Sequence, residues 1–196
     1  MRWSLTMDEI TLFFYKRHLK HIKRLIENIL HVLDNSDIVQ KYKIDEIELL
    51  KSVLVHDQTK LKEPQLSTFI KESYSVYKTP QPPYKINRVY TNKGIVLHVL
   101  QEKHHPEYWD PDFPTNISKL ILTKDQLECL VDANKMPKEF IVEMVCDWYA
   151  ISREVNGNLR QWFNDTYPKR WKFNNDQLNL INDIITFFET NPLESN

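Results

Sequence analysis

The sequence predicts an all-α fold, and three observations carry that prediction. Only 2 glycines occur in 196 residues, whereas β-rich and dinucleotide-binding folds spend glycine on tight turns and phosphate loops. Apolar residues recur mostly at helical spacing. Proline and Asn/Asp clusters interrupt these segments at intervals suited to helices. At this length one domain is expected over residues 1–196, a bundle of six to eight helices with its core at about 7–170 and a C-terminal helix at about 175–189.

The first helix is expected over residues 7–33, opened by a capping box of Thr6 and Glu9 and stopped by "DNSD" at 34–37. Its apolar stripe is Ile22, Leu25, Ile26, Ile29 and Leu33. A second helix is expected over 45–60, with Ile47, Leu50, Val53 and Leu54 apolar and "HDQTKL" at its end. A short helix follows Pro64, then a proline-rich loop over 78–94. The next helix is expected over 95–105, bounded by Pro106, because the residue before a proline is pushed out of the helical region. "DPDFP" reads as a connection, and 120–134 as a helical insertion with Thr123 as N-cap. Pro137 suits the first turn of the helix "KEFIVEMVCDWYAISREV". "NGN" at 156–158 breaks it, and helices over 158–167 and 175–189 complete the chain.

The composition is 41% hydrophobic and 27% charged with a formal net charge of −1, which fits a soluble globular protein. A duplex-binding protein carries a basic excess, so nucleic acid is not an expected partner. Cys129 and Cys146 belong to no CxxC pair, which argues against a disulfide framework and for a reducing compartment. No signal peptide is visible, and no apolar run approaches the ~20 residues of a membrane span. The expectation is a cytoplasmic protein with no membrane partner, in a host cell's cytoplasm if the source is viral. A homodimer is left open.

Nucleophile elbows, phosphate loops and cysteine-based zinc patterns are all absent. What remains is an ordered series: His18 or His21, then His56-Asp57, His98, His104-His105, and Asp147. Imidazole and carboxylate together suit divalent Zn, Mn, Fe, Co or Mg. On one helix His98 and His105, seven residues apart, share a face that His104 does not. Asp147 lies in an apolar helix, where a lone buried carboxylate is costly without a partner. His56 and Asp57 are adjacent, so both face one centre only at a helix end or bend.

This order, H…HD…H…HH…D, is similar to the HD-domain superfamily of metal-dependent phosphohydrolases, and "HDQTK" resembles its HDxxK form. More closely, "HDQTKL", "HHPEYW", "MPKEFIVEMVCDW" and "NLRQWF" resemble an uncharacterised family of phage and bacterial proteins. That family shows HDxSKF, H-x5-HH-x3-W, EMVxDW and a later N-x-R-x-[WY]. The likeness spans about residues 15–170, with Thr59 in place of serine and Leu61 in place of phenylalanine.

The resemblance implies an HD-like helical bundle and one or two divalent ions. His21, His56, Asp57 and Asp147 would hold the first ion. His98 and His105, with His104, would hold a second or face the substrate phosphate. Implied too is hydrolysis of a nucleotide or cyclic (di)nucleotide by metal-activated water. Lys60 and Asp57 would act at the reacting phosphate, and His104, where not a ligand, would protonate the leaving group. Glu107, Tyr108, Trp109 and Arg160 would contact substrate.

Blander readings stand beside these. His56-Asp57 could be a helix end with Asp57 paired to Lys60, Asp147 a carboxylate paired to Arg153, and Asn158 a helix cap. Periodicity favours His18 as the first ligand and the family pattern favours His21, while His31 points to solvent. Trp148, Trp162 and Phe163 read as core. Two other classes remain: a protein that sequesters a nucleotide without cleaving it, and an HD-type di-iron oxygenase.

Overall fold

The computed structural model describes residues 6–78, 88–113 and 131–193, with the backbone alone at 88–92. Helix α1, Met7–Asn35, starts at the expected capping box: Thr6 Oγ1 accepts the Glu9 N–H, and Glu9 Oε2 accepts the Thr6 N–H at 2.7 Å. Its buried face is Ile10, Phe14, His18, His21, Leu25, Ile29 and Val32. This differs from the expected stripe, since Ile26 is exposed and Ile22 and Leu33 are only partly covered. The stripe runs through two histidines, so counting apolar residues alone misplaces its phase.

After the short α2, Ile38–Tyr42, helix α3, Glu46–Leu54, is capped by Asp45, whose side chain accepts the Glu48 N–H. It ends at Leu54, not at residue 60, and buries Leu49 and Val53 while Ile47, Leu50 and Leu54 are exposed. Asp57 then adopts a left-handed conformation (φ 60°, ψ 14°) before a 3₁₀ turn, Gln58–Leu61.

Helix α4, Gln65–Tyr77, is the element expected after Pro64. Of the expected proline-rich loop, residues 79–87 lie outside the described residues, and 88–94 are helical instead. Helix α5 is Arg88–Val99. Gly94 lies against α4: a Cβ there would run into the Thr68 side chain, so glycine permits the close approach of the two helices. The chain leaves α5 before residue 105, and residues 100–105 form turns that lead into a 3₁₀ turn, Pro106–Trp109.

Most of the expected insertion at 120–134, with Thr123 and Cys129, lies outside the described residues. Its end is a two-residue strand, β1, Val131–Asp132, paired in parallel with β2, Trp171–Lys172. Helix α6, Lys138–Val155, follows with Pro137 as its N-cap, one residue before the first turn, and closes on left-handed Asn156. Asn158 caps α7, Leu159–Arg170, and a capping box of Asn174 and Gln177 opens α8, Asn175–Thr190.

Helix α6 is the axis of the fold. Residues 139–148 along it are all buried, as expected for a helix with neighbours on every side, and α1, α3 and α8 pack around it. A smaller apolar cluster of Ile10, Phe14, Ile70 and Tyr74 ties α1 to α4. The fold is all-α, with eight α-helices among the described residues. None of the described helices is long and apolar enough to cross a membrane.

Candidate metal centre

Four parts of the chain converge beside α6. Helix α1 contributes His18 and His21, and α6 contributes Glu143 and Asp147, four residues apart and so on one face. The break after α3 contributes His56 and Asp57. The last turn of α5 and the turns behind it supply His98, Glu102, His104 and His105. The left-handed Asp57 resolves the adjacency problem, because the reversal lets two neighbouring side chains face one centre. Aspartate tolerates this conformation better than most residues.

Asp57 is fully buried and presents one carboxylate oxygen to each of two histidine sets. Its Oδ2 lies 3.5 Å from His56 Nε2 and 3.9 Å from His21 Nε2. Its Oδ1 lies 3.3 Å from His98 Nε2 and 3.6 Å from His104 Nε2. Asp147 Oδ1 closes the first set, 2.9 Å from His21 Nε2 and 3.7 Å from His56 Nε2. His105 closes the second, its Nε2 3.0 Å from His98 Nε2.

Among the described residues three groups could hold a metal ion: His21-His56-Asp147, Asp57-His98-His104-His105, and His56-His104-Glu143, which shares a histidine with each of the first two. The inward atoms His21 Nε2, His56 Nε2, Asp57 Oδ1 and His104 Nε2 are buried and have no hydrogen-bond partner among the described residues. Buried polar atoms are normally satisfied, and unpaired imidazole and carboxylate atoms facing inward together fit the ligand chemistry of a divalent ion.

The outward atoms of these side chains are fixed instead. His56 Nδ1 is 2.7 Å from Glu143 Oε1, and His98 Nδ1 is 2.7 Å from Thr59 Oγ1. Such bonds set the ring tautomer and leave Nε2 free to ligate. Glu102 in turn accepts the Thr59 N–H at 2.9 Å.

The electrostatics agree. Burial raises the Asp57 carboxyl, but Lys60 and His56 outweigh it and hold the group well below its usual range. Burial likewise raises Asp147, and contacts with His21 and His56 bring it well below. Burial lowers His98, His104 and His105, aided by Lys60, His56 and His98 respectively. They are held neutral, the form that ligates metals. In His56 burial acts downward too, yet Asp57, Asp147 and Glu143 outweigh it and raise the ring well above its ordinary value.

A cavity of about 320 Å³ adjoins the first group. Its polar lining includes His18, His21, Asp57 and Lys60 together with Arg17, Glu72 and Ser73, and Phe14, Phe69 and Tyr77 are among its apolar lining. Lys60 Nζ lies 2.5 Å from Asp57 Oδ2 and 5.2 Å from the Phe69 ring centroid. The ion pair of the bland reading is therefore present, and the lysine also faces the cavity.

Other expected site residues lie elsewhere. Glu107 is buried under β2, accepting from Trp171 Nε1 at 3.1 Å and Arg170 Nη2 at 3.3 Å. Trp109 donates to the Lys103 carbonyl and packs on Phe140, and Tyr108 packs on Trp109. Arg160 spends its guanidinium on Glu189, Asn182 and Thr186 of α8. None of these residues lines the cavity; each is engaged in bracing the fold. Arg153 pairs with Glu27 and Asn28 rather than Asp147. His31 is half-buried against Phe187, away from the cluster.

The shared face of His98 and His105 does not come from one helix, since α5 ends at Val99; the following turns fold His105 back. Sequence reasoning passed over Glu143 and Thr59. Glu143 carried a signal, a second carboxylate one turn from Asp147 in the same apolar helix. Thr59 carried none beyond its place inside "HDQTK".

No curated protein and no solved structure matches the chain. A family model does match, over residues 11–187, and the chain belongs to that family, DUF5662, a family of unknown function.

Proposed function

We propose that the chain is a metal-dependent phosphohydrolase acting on a nucleotide or related phosphoester. The observation that carries this reading is Asp57, a buried carboxylate with one oxygen toward each of two histidine sets. A carboxylate shared by two histidine sets would let the site hold two divalent ions, a chemistry suited to in-line displacement at phosphorus. The sequence resemblance to HD-domain phosphohydrolases supports the same reading. So do Lys60 and Arg17, whose charges in the cavity lining suit an anionic substrate.

His21, His56, Asp147 and Asp57 would hold one ion, and Asp57, His98, His104 and His105 the other. Bound there, divalent ions would supply Lewis acidity and a lowered water pKa. Lys60 would offset charge on the non-bridging phosphoryl oxygens, Glu143 and Thr59 would orient His56 and His98, and the aromatic wall would seat the organic part of the substrate.

The test is metal analysis joined to turnover. Purified protein should carry up to two equivalents of metal, and Asp57→Ala should lose both. With Mn²⁺, Co²⁺ or Mg²⁺, wild type should release phosphate or open a phosphodiester within a panel of nucleoside monophosphates, cyclic nucleotides and cyclic dinucleotides. No turnover across that panel with any of these ions would refute the reading.

A further inference from the structure

His18 belongs to none of the groups able to hold a metal ion. It sits on α1 three residues before His21, so the two rings share the buried face, about 4.5 Å apart along the helix axis. Its ring stacks on Phe14 with centroids 5.8 Å apart and planes at 17°, and it makes no hydrogen bond among the described residues. Both residues line the cavity, as do Asp57 and Lys60. An imidazole in that position has one face against a ring and its nitrogens available to whatever occupies the cavity.

We infer that His18 is a substrate-binding residue that donates a hydrogen bond to a phosphoryl oxygen, opposite Lys60 at the mouth of the metal centre. The inference rests on reading the centre as a phosphoryl-binding site. Three features favour a phosphoryl contact over a structural role. The ring is mostly buried but makes no hydrogen bond among the described residues, and it lines the cavity, so its nitrogens are open to an occupant. It faces a cavity that an ammonium group enters from the 3₁₀ turn. It is also kept neutral: burial, opposed by Asp57 and aided by Lys60, brings it down to about 4. A neutral imidazole offers a donor without adding a positive charge beside bound cations.

The experiment compares the full chain, loaded with Mn²⁺, as wild type, His18→Ala and His18→Gln, with inorganic phosphate titrated calorimetrically. Removing a hydrogen bond to a charged oxygen should weaken phosphate about tenfold or more. Metal stoichiometry should be unchanged, and His18→Gln, which keeps an N–H of similar reach, should recover most of the loss. A merely structural histidine would not give that pattern.

Phosphate bound as tightly by both variants as by wild type would overturn the inference, as would wild type that binds no phosphate. Loss of metal in either variant would also overturn it, since His18 would then be a ligand. If His18→Ala does not fold, His18→Gln and a His18→Asn variant carry the comparison, and equal affinity in both with no defect would count against the inference. Wild type that binds phosphate through His18 but hydrolyses no nucleotide would refute the hydrolase reading and leave this one standing.

Discussion

Thr59→Val tests whether the buried cluster holds two ions or one. Valine matches threonine in shape, so the substitution leaves no cavity and removes only the hydroxyl 2.7 Å from His98 Nδ1. The Thr59 backbone N–H still donates to Glu102. With Nε2 ligating, the His98 Nδ1–H would be buried without an acceptor, at a cost of about 1–3 kcal/mol. That corresponds to roughly 5–150-fold in affinity, consistent with the 10–100-fold typical of losing a partner that orients a ligand. His98 belongs to the group with Asp57, His104 and His105 and not to the group with His21 and Asp147. Titrating Mn²⁺ or Co²⁺ against a chelating dye should therefore show one class of site weakened about 10–100-fold and the other unchanged. Equal weakening of both classes, no weakening of either, or a single class in wild type would refute the assignment of two groups.

Glu143→Gln should weaken metal binding on the His56 side by a similar ~10–100-fold, because it removes the carboxylate 2.7 Å from His56 Nδ1; chelator titration checks it, and unchanged affinities would refute the orienting role. Acidification should destabilise the metal-free protein below pH 6.5. Folded His18, His98, His104 and His105 all have lowered pKa values, so the unfolded chain takes up protons first and the stability present above 6.5 is lost toward the folded values. His56, raised, opposes this trend as one ring against four, so thermal midpoints across pH 7 to 5 should fall. Arg160→Met should lower the midpoint by about 2–4 °C, for a loss of roughly 1 kcal/mol on a surface pair, while metal binding and phosphate affinity remain unchanged; a loss of phosphate affinity would restore Arg160 to the site.

Much of the clustering was legible in the sequence because histidine and aspartate are chemically distinctive. His21, His56, Asp57, His98, His105 and Asp147 could be picked out by type and order, and helical boundaries followed from Thr6, Asp45 and the "NGN" break. What failed has physical causes. The face of α1 was misplaced because two of its buried positions are histidines that apolar counting ignores. The end of α3 is extended by pattern alone because no glycine or proline marks it: Val55 is the C-cap, and left-handed Asp57 comes two residues later. His105 was assigned to a helix that ends earlier, since turns formed by residues 100–105 lack the usual glycine or asparagine. Glu107 and Arg160 are ionic braces between segments far apart in sequence, and local pattern carries no record of such partners.

The unpaired inward atoms set the energetic problem that the centre must solve. His21 Nε2, His56 Nε2, Asp57 Oδ1 and His104 Nε2 are buried without well-formed hydrogen bonds, at a cost of up to about 1–3 kcal/mol each, offset in part where His21 lies 2.9 Å from Asp147 and Asp57 lies 3.3 Å from His98. The left-handed Asp57 adds roughly 1–2 kcal/mol of backbone strain. Together these rival the whole stability of a small domain, about 5–15 kcal/mol, so a fold that keeps them gains most from a ligand that satisfies all four at once. Metal bound only by the native state stabilises it by about 2.7 kcal/mol per site at a hundredfold excess over Kd. For a chain of this size that is roughly 5–10 °C per ion in thermal midpoint. Melting with excess Mn²⁺ or Co²⁺ and again with chelator should differ by at least that much, and Asp57→Asn, which tolerates the left-handed turn but loses the charge, should show little difference. Equal midpoints with and without metal in the wild type would mean that the inward atoms are satisfied in some other way, and the metal reading would fall with them.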